Sequence, residues 1–373
     1  MNQVSPSFKP VILVAPLNWG LGHATRCIPL INCLLTNDCT VILAGDGAIK
    51  ALLKQEFPSL PFIDLPGYHI TYSAHKWTMA LQLALQIPKI ISGIKYENQR
   101  LEQMVNEHHI DAIISDNRYG LYHKNIPGVF ISHQLFIRTP FGNQADRYLQ
   151  KLNYNYINRF TECWIPDHAH ETNLSGLLSH SSSLPEIPVR YIGPLSRFHQ
   201  DMPAEEKYLM FILSGPEPQR TIFENICLEQ LKLYNDPVVF VRGLPAETKL
   251  PEVPSHICVY NHLNSSLLEE KMNGASFIVA RCGYSTVMDL AIVKKKGILV
   301  PTPGQTEQEY LAKHLMSVQF AFCIAQEKFK LLPVLHLASQ FKYRVKYFKP
   351  ELFLDDAVKC LVARVKRESL IGM

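Results

Sequence analysis

Short apolar runs alternate with amphipathic stretches along most of the chain. In the first half, VILVAPL precedes a helix-period stretch at about residues 25–35 and TVILAG precedes another at about 47–56. A third such stretch ends near residue 109, ahead of DAIISD and GVFIS. Apolar runs this short, separated by helical patterns, are what βαβ units with a buried parallel sheet require. After YIGPLSRF the alternation starts again: YLMFILSG, a helix at about residues 220–234, PVVFVRG, HICVYN, a helix around 267–272, FIVARCG, a helix after Ser285, and GILVPTP. Two such series in tandem predict an α/β protein of two doubly wound domains with a crevice between them, joined near residues 193–199.

Composition agrees with that division. At 373 residues the chain exceeds one ordinary core, and at about 150 residues per domain two are expected. With 47% hydrophobic and 19% charged residues it is globular in type. The net charge of +4 is too mild to point to nucleic acid, and suits an anionic substrate or an acidic membrane surface equally. Nine cysteines without a CxxC pair or metal-type spacing read as reduced thiols, and so as a cytoplasmic protein. VILVA, after MNQVSPSFKP, is too short for a signal core or a membrane span. The segment 76–95, with Lys76, Lys89 and Lys95, reads either as a core helix interrupted at Pro88 or as a peripheral membrane patch admitting a lipid-linked acceptor. The basic motifs FKYRVKYFK and ARVKR are either solvated helix faces or aids to such a contact.

Chemistry concentrates where strands give way to helices. In NWGLGHATR, Gly20 and Gly22 let the backbone approach a ligand, and the helix start offers free N–H groups. Two other readings of this loop stay open: a tight turn without a ligand, and a dinucleotide fingerprint with Asp46 as the ribose acid. The fingerprint lacks its third glycine, since Thr25 stands there. His23 suits proton abstraction from a hydroxyl at neutral pH. Asp116, ending DAIISD, can accept the ring's other N–H, and His133 in FISHQ ends the neighbouring strand, so three polar groups converge on one rim. Any one of them alone is more often an ordinary satisfied residue.

The loop SGPEPQR brings Gly215 and Arg220 to another helix start, where backbone amides and a cation suit phosphate or, equally, form an ordinary turn with a solvated arginine. It lacks the GK[ST] of a nucleotide-hydrolysing loop. Residues 281–312, RCGYSTVMDLAIVKKKGILVPTPGQTEQEYLA, carry the densest pattern. Free amides at Ser285 and Thr286 suit phosphate, Asp289 suits the paired hydroxyls of a ribose, and Gln305, Glu307 and Gln308 form the polar cluster a hexose needs. Read as a helix cap with Asp289 favouring the macrodipole, the segment leaves that polar cluster unexplained.

On these motifs the chain, across roughly residues 11–312, resembles the GT-B glycosyltransferases, whose two Rossmann-like domains hold the site between them. Within that fold it resembles specifically the MurG-type family 28 enzymes and their UDP-glycosyltransferase relatives. The resemblance implies an acceptor-binding domain at 1–195, a nucleotide-sugar domain at 196–350, and a C-terminal helix at 351–373 packing back on the first domain. It makes His23 the counterpart of a general base, with Asp116 its candidate partner and Gly20, Gly22 and His133 on the acceptor side. It brings Arg197 of GPLSR to the donor diphosphate, together with Gly215, Arg220, Arg281, Gly283, Ser285 and Thr286. Asp289 stands in the place of a ribose-binding glutamate, and Gln305, Glu307 and Gln308 in the sugar-recognition stretch. Prolines replace the usual small residues of SGPEPQR, and Asp is shorter than Glu at 289.

The implied reaction is inverting, metal-independent transfer of a hexose, hexosamine included, from a UDP-sugar to a glycan or lipid-linked acceptor. It needs no cofactor beyond that co-substrate and no nucleic acid, and it takes place in the cytoplasm or on the inner membrane face. No DxD metal motif appears, as this mechanism expects. Two rival functions share the architecture: a nucleotide-sugar 2-epimerase, whose serine-glycine-glycine and glutamate-pair pattern RCGYSTVMD does not resemble, and a non-catalytic nucleotide-sugar-binding subunit, which has no use for His23.

Overall fold

A computed structural model describes residues 8–18, 20–68, 85–137, 142–170, 173–199, 207–245, 247–344 and 350–371. Residues 76–84 of the segment read above as a membrane patch or core helix lie outside these.

The first seven strands are β1 (Val11–Pro16), β2 (Thr40–Gly45), β3 (Phe62–Asp64), β4 (Ala112–Asp116), β5 (Gly128–Ile131), β6 (Glu162–Ile165) and β7 (Val189–Tyr191). They form one parallel sheet in the order β3-β2-β1-β4-β5-β6-β7. Helices cover both faces of such a sheet, which is why Ile12, Leu13, Val14 and Ala15 of β1 are all buried rather than alternating.

The remaining strands are β8 (Tyr208–Ile212), β9 (Val238–Val241), β10 (Ile257–Tyr260), β11 (Ala275–Arg281), β12 (Gly297–Val300) and β13 (Phe322–Cys323). They form a second parallel sheet, ordered β10-β9-β8-β11-β12-β13. In each sheet the order reverses once, between β1 and β4 and between β8 and β11. At such a switch point the flanking loops diverge and leave a crevice at the carboxyl ends of the strands. The pairings Pro16↔Asp116 and Ile212↔Ala280 set the glycine loop of each domain beside the strand end that carries its polar partner.

Helix α1 (Leu21–Thr36) turns Ala24, Cys27, Ile28, Ile31 and Leu34 to one side at the helical period. Part of that side meets the helix Tyr284–Val293 of the second domain. Ala24 and Ile28 belong with Val287, Met288 and Ala291 to a single buried apolar cluster that runs through both domains. The C-terminal helix Pro350–Ile371 joins this cluster through Leu354, Ala357, Val358 and Leu361. It is tied to the first domain by Asn37 Nδ2, which donates to Asp355 at 3.0 Å.

All nine cysteines are free thiols. Among the described residues no helix is long and apolar enough to cross a membrane.

Candidate active site

Helix α1 begins at Leu21, earlier than the predicted residue 25, so His23 sits inside its first turn. Gly20 precedes it with φ of 112°, a conformation that favours glycine. The imidazole is 14% exposed and reaches the crevice, while Asp116 at the end of β4 is buried beside it. His23 Nδ1 lies 3.1 Å from Asp116 Oδ1.

The same carboxylate is gripped by Arg26, three residues further along α1 and therefore on the same helix face. Arg26 Nε donates to Asp116 Oδ2 at 2.6 Å and Nη2 donates to Oδ1. Arg26 also reaches two histidines, through Nη2 to His23 Nδ1 at 2.9 Å and through Nη1 to His133 Nδ1 at 3.1 Å. Burial, with the Arg26 charge next, holds the His23 pKa below its ordinary value against the pull of Asp116, so the ring is neutral at pH 7 and able to take a proton. Burial raises the Asp116 pKa, but Arg26 and then His23 outweigh it and hold the carboxyl well below the usual carboxylate range. Sequence reasoning assigned Arg26 no role. The signal was its spacing from His23.

Across the crevice the second domain touches this group directly. Glu307, in the first turn of the helix Thr306–Ser317, accepts from His133 Nε2 at 2.9 Å. Tyr284 stacks flat on His133 with ring centroids 4.4 Å apart and donates its hydroxyl to the Pro166 carbonyl. Ser285 Oγ donates to the Gly22 carbonyl at 3.0 Å. A Cβ on Gly22 would come within 2.6 Å of that hydroxyl, so glycine is what lets the two domains approach here.

In the second domain, Gly215 (φ 108°) and Gly283 both face open space, one after each strand of the β8/β11 switch point. Gly283 is the residue before the helix Tyr284–Val293, and the amides of Ser285 and Thr286 lie in its first turn, where no intrahelical acceptor exists. This is the arrangement an anionic group can occupy.

The two other arginines assigned to the donor are engaged within their own domain. Arg220 is held by Glu217 and Glu224, each at 2.5 Å. Arg281 is buried over the Phe223 ring, donating to the carbonyl of Gln219 at 2.8 Å and to those of Val300 and Pro301. Arg197 differs from both, since its buried Nε has no hydrogen-bond partner.

Gln305 and Gln308 are bonded to each other at 2.5 Å, and Gln308 Oε1 accepts from Thr302 N, so these carboxamides also shape their own loop. The dinucleotide alternative loses its acid. Asp46 accepts from Asn18 Nδ2 and from Gly67 N, which brace the loop rather than await a ribose. No group of three or more His, Cys, Asp or Glu among the described residues is arranged to hold a metal ion.

Asp289 lies in the second turn of its helix and accepts from Ser196 Oγ of the interdomain connection at 2.6 Å. Burial pushes its carboxyl from 3.8 up to about 6, although Arg197 pulls the other way. Because the folded state keeps this proton to higher pH than the unfolded chain, the stabilisation is complete below about pH 4 and is lost as pH rises through about 6. Asp289→Asn is therefore expected to stabilise the fold by about 2 kcal/mol near pH 8 and not at all near pH 4. Urea unfolding at the two pH values measures this, and an equal effect at both contradicts it.

Residues 253–342 match the glycosyltransferase family 28 C-terminal domain, a span that includes Gly283, Ser285, Thr286, Asp289, Gln305, Glu307 and Gln308. No curated protein matches the sequence. Among solved structures, the glycotransferase of kitacinnamycin superposes with a TM-score of 0.61 at 15% identity, covering 96% of each chain. Arabidopsis thaliana UGT89C1 complexed with UDP-L-rhamnose gives 0.61 at 10% identity, over 95% of this chain and 100% of its own. MurG of Acinetobacter baumannii gives 0.51 at 13% identity, over 96% and 100%. The chain has the two-domain GT-B fold of glycosyltransferases and resembles MurG and the UDP-glycosyltransferases, and its residues 253–342 match the family 28 C-terminal domain.

Proposed function

We propose that the protein is an inverting, metal-independent glycosyltransferase that moves a hexose or hexosamine from a UDP-sugar to an acceptor hydroxyl. The observation that carries this reading is His23: 14% exposed and within bonding distance of Asp116, at the first domain's switch point opposite the free amides after Gly283. His23 Nε2 takes the proton of the acceptor hydroxyl as its oxygen attacks the anomeric carbon. The bond from that carbon to the diphosphate oxygen breaks, and UDP leaves with the pair of electrons. Amides at Ser285 and Thr286, with the underused Arg197, stabilise the charge that develops on the diphosphate.

UDP is inferred as the nucleotide because neighbouring structures carry it: UDP-L-rhamnose on the Arabidopsis protein and UDP-2-fluoro-glucose on Phytolacca americana UGT2. A lipid-linked acceptor, and with it a place on the inner membrane face, is supported by Leu85, Ile87 and Ile91, exposed near the start of the helix Ile87–His108 beside Lys89.

The test is to incubate the protein with labelled UDP-hexoses, with and without crude lipid and glycan acceptors, and to follow UDP release. Release that needs an acceptor supports transfer. Conversion of the donor alone indicates an epimerase, and tight UDP binding without turnover indicates a binding subunit.

A further inference from the structure

We infer that Arg26 is a positioning residue: clamped on Asp116, it sets which nitrogen of His23 carries the proton and links that choice, through His133, to Glu307 on the donor domain. The inference rests on the reading of His23 as the base.

A guanidinium carries five N–H donors in a rigid fork and no acceptor, so every group it touches must accept. Two of its contacts close a bidentate pair with Asp116, through Nε at 2.6 Å and through Nη2. A third fixes His133. Since Nδ1 of that ring accepts from Arg26 Nη1 at 3.1 Å, the ring proton sits on Nε2, where it is donated to Glu307 at 2.9 Å. A continuous run of hydrogen bonds therefore crosses the crevice, from the first turn of a donor-domain helix to the carboxylate that faces His23. Tyr284, stacked on His133, keeps the middle of this run from rotating.

The end at His23 has two settings. Its Nδ1 lies 3.1 Å from Asp116 Oδ1 and 2.9 Å from Arg26 Nη2, and these contacts require opposite tautomers. If Nδ1 donates to Asp116, Nε2 keeps its lone pair and the ring is a base. If Nδ1 accepts from Arg26, the proton moves to Nε2 and the ring cannot take another from a hydroxyl there. Nη2 reaches both Asp116 Oδ1 and His23 Nδ1, so the two settings compete, and the hold of Asp116 and His133 on the fork tips the balance towards Asp116 as the partner of Nδ1. Release of His133 from Glu307 loosens that hold and favours the contact that Arg26 already makes with His23. The bond between His133 and Glu307 thus biases His23 towards the setting in which Nε2 is the base.

Four groups from four elements set the charge around the His23 ring: Arg26 on its own helix, Asp116 ending β4, His133 after β5, and Glu307 on the second domain. Cys27 adds none, because burial keeps its thiol protonated. Arg26 opposes protonation of His23, whereas Asp116 and Glu307 favour it.

The experiment is nitrogen NMR of the full chain labelled with 15N-histidine, the His23 signals being assigned by their loss in His23→Asn. Wild-type His23 is expected as the Nδ1–H tautomer. In Arg26→Gln its titration midpoint should rise by about one pH unit, and the acid limb of kcat should rise with it. Arg26→Gln leaves Asp116 buried without its cation, so His133→Asn and Glu307→Gln serve as variants that spare that pair. Both should move the His23 proton towards Nε2 and lower kcat by about tenfold with UDP affinity unchanged. Arg26→Lys, which keeps the charge without the fork, should restore the titration midpoint but not the tautomer.

The inference is overturned if the tautomer and midpoint of His23 are the same in all these variants as in wild type. If they respond but His23→Ala still transfers sugar, the relay stands and the assignment of the base falls. If His23→Ala is inactive while the NMR does not respond, the base stands and the relay falls.

Discussion

Replacing His23 by alanine is expected to lower the rate constant for transfer by about 10²–10⁴-fold while UDP binding persists, because a positioned general base contributes about that much and, among the described residues, no neighbouring group is placed to replace it. His133 stands nearest in type, but its Nδ1 accepts from Arg26 and its Nε2 serves Glu307, so neither nitrogen has a free lone pair. Cys27 is buried with its pKa raised, and Asp116 is buried beneath Arg26. Single-turnover rates with a saturating acceptor, read beside UDP titration of both proteins, check this. A loss of UDP affinity equal to the loss of rate would mean that His23 holds the donor instead. Since the wild-type ring titrates below its ordinary value, the wild-type rate should fall only on the acid side of neutrality.

What could be read in the chain before its fold was known follows physical lines. Strands buried on both faces announce themselves as apolar runs, so VILVAP, TVILAG and GILV were legible. The short strands Phe62–Asp64, Glu162–Ile165, Val189–Tyr191 and Phe322–Cys323 were not. They carry charges such as Glu162 and Arg190 or span too few residues, and their pairing is decided by the sheet already present beside them.

The site divides in the same way. His23 and Asp116 were found because each ends or follows a parallel strand, and the topology alone brings such positions together at a switch point. What the sequence could not supply was who else competes for a carboxylate. Arg26 looked like one more helix residue until its grip on Asp116 was visible, and Arg220 and Arg281 looked available until their internal partners were. An arginine's charge is legible from its letter. Whether that charge is already committed depends on residues distant in sequence, such as Val300 for Arg281 or Asp116 for Arg26.

Asp116→Ala is expected to cost about 3–5 kcal/mol of stability and to abolish transfer, and the two losses have separable causes. The stability loss comes from Arg26, which is 2% exposed and would be left buried with two unsatisfied edges of its fork. The activity loss comes from His23, which would lose the acceptor for Nδ1–H and keep only the contact with Arg26 Nη2, which requires the other tautomer. Removing both ends of the pair in Arg26→Leu, Asp116→Leu should recover much of the stability, since two apolar side chains can fill a buried ion pair's volume without any charge to desolvate, but should recover no transfer.

Acid supplies a second discrimination. The folded-state pKa of Asp116 lies below its unfolded value, so its contribution is complete above about pH 4 and fades as pH falls further. The stability gap between wild type and Asp116→Ala should accordingly narrow in acid. Urea midpoints across that range, with transfer assays on the same preparations, test the assignment. A double variant that regains activity together with stability would show that the carboxylate serves the fold alone.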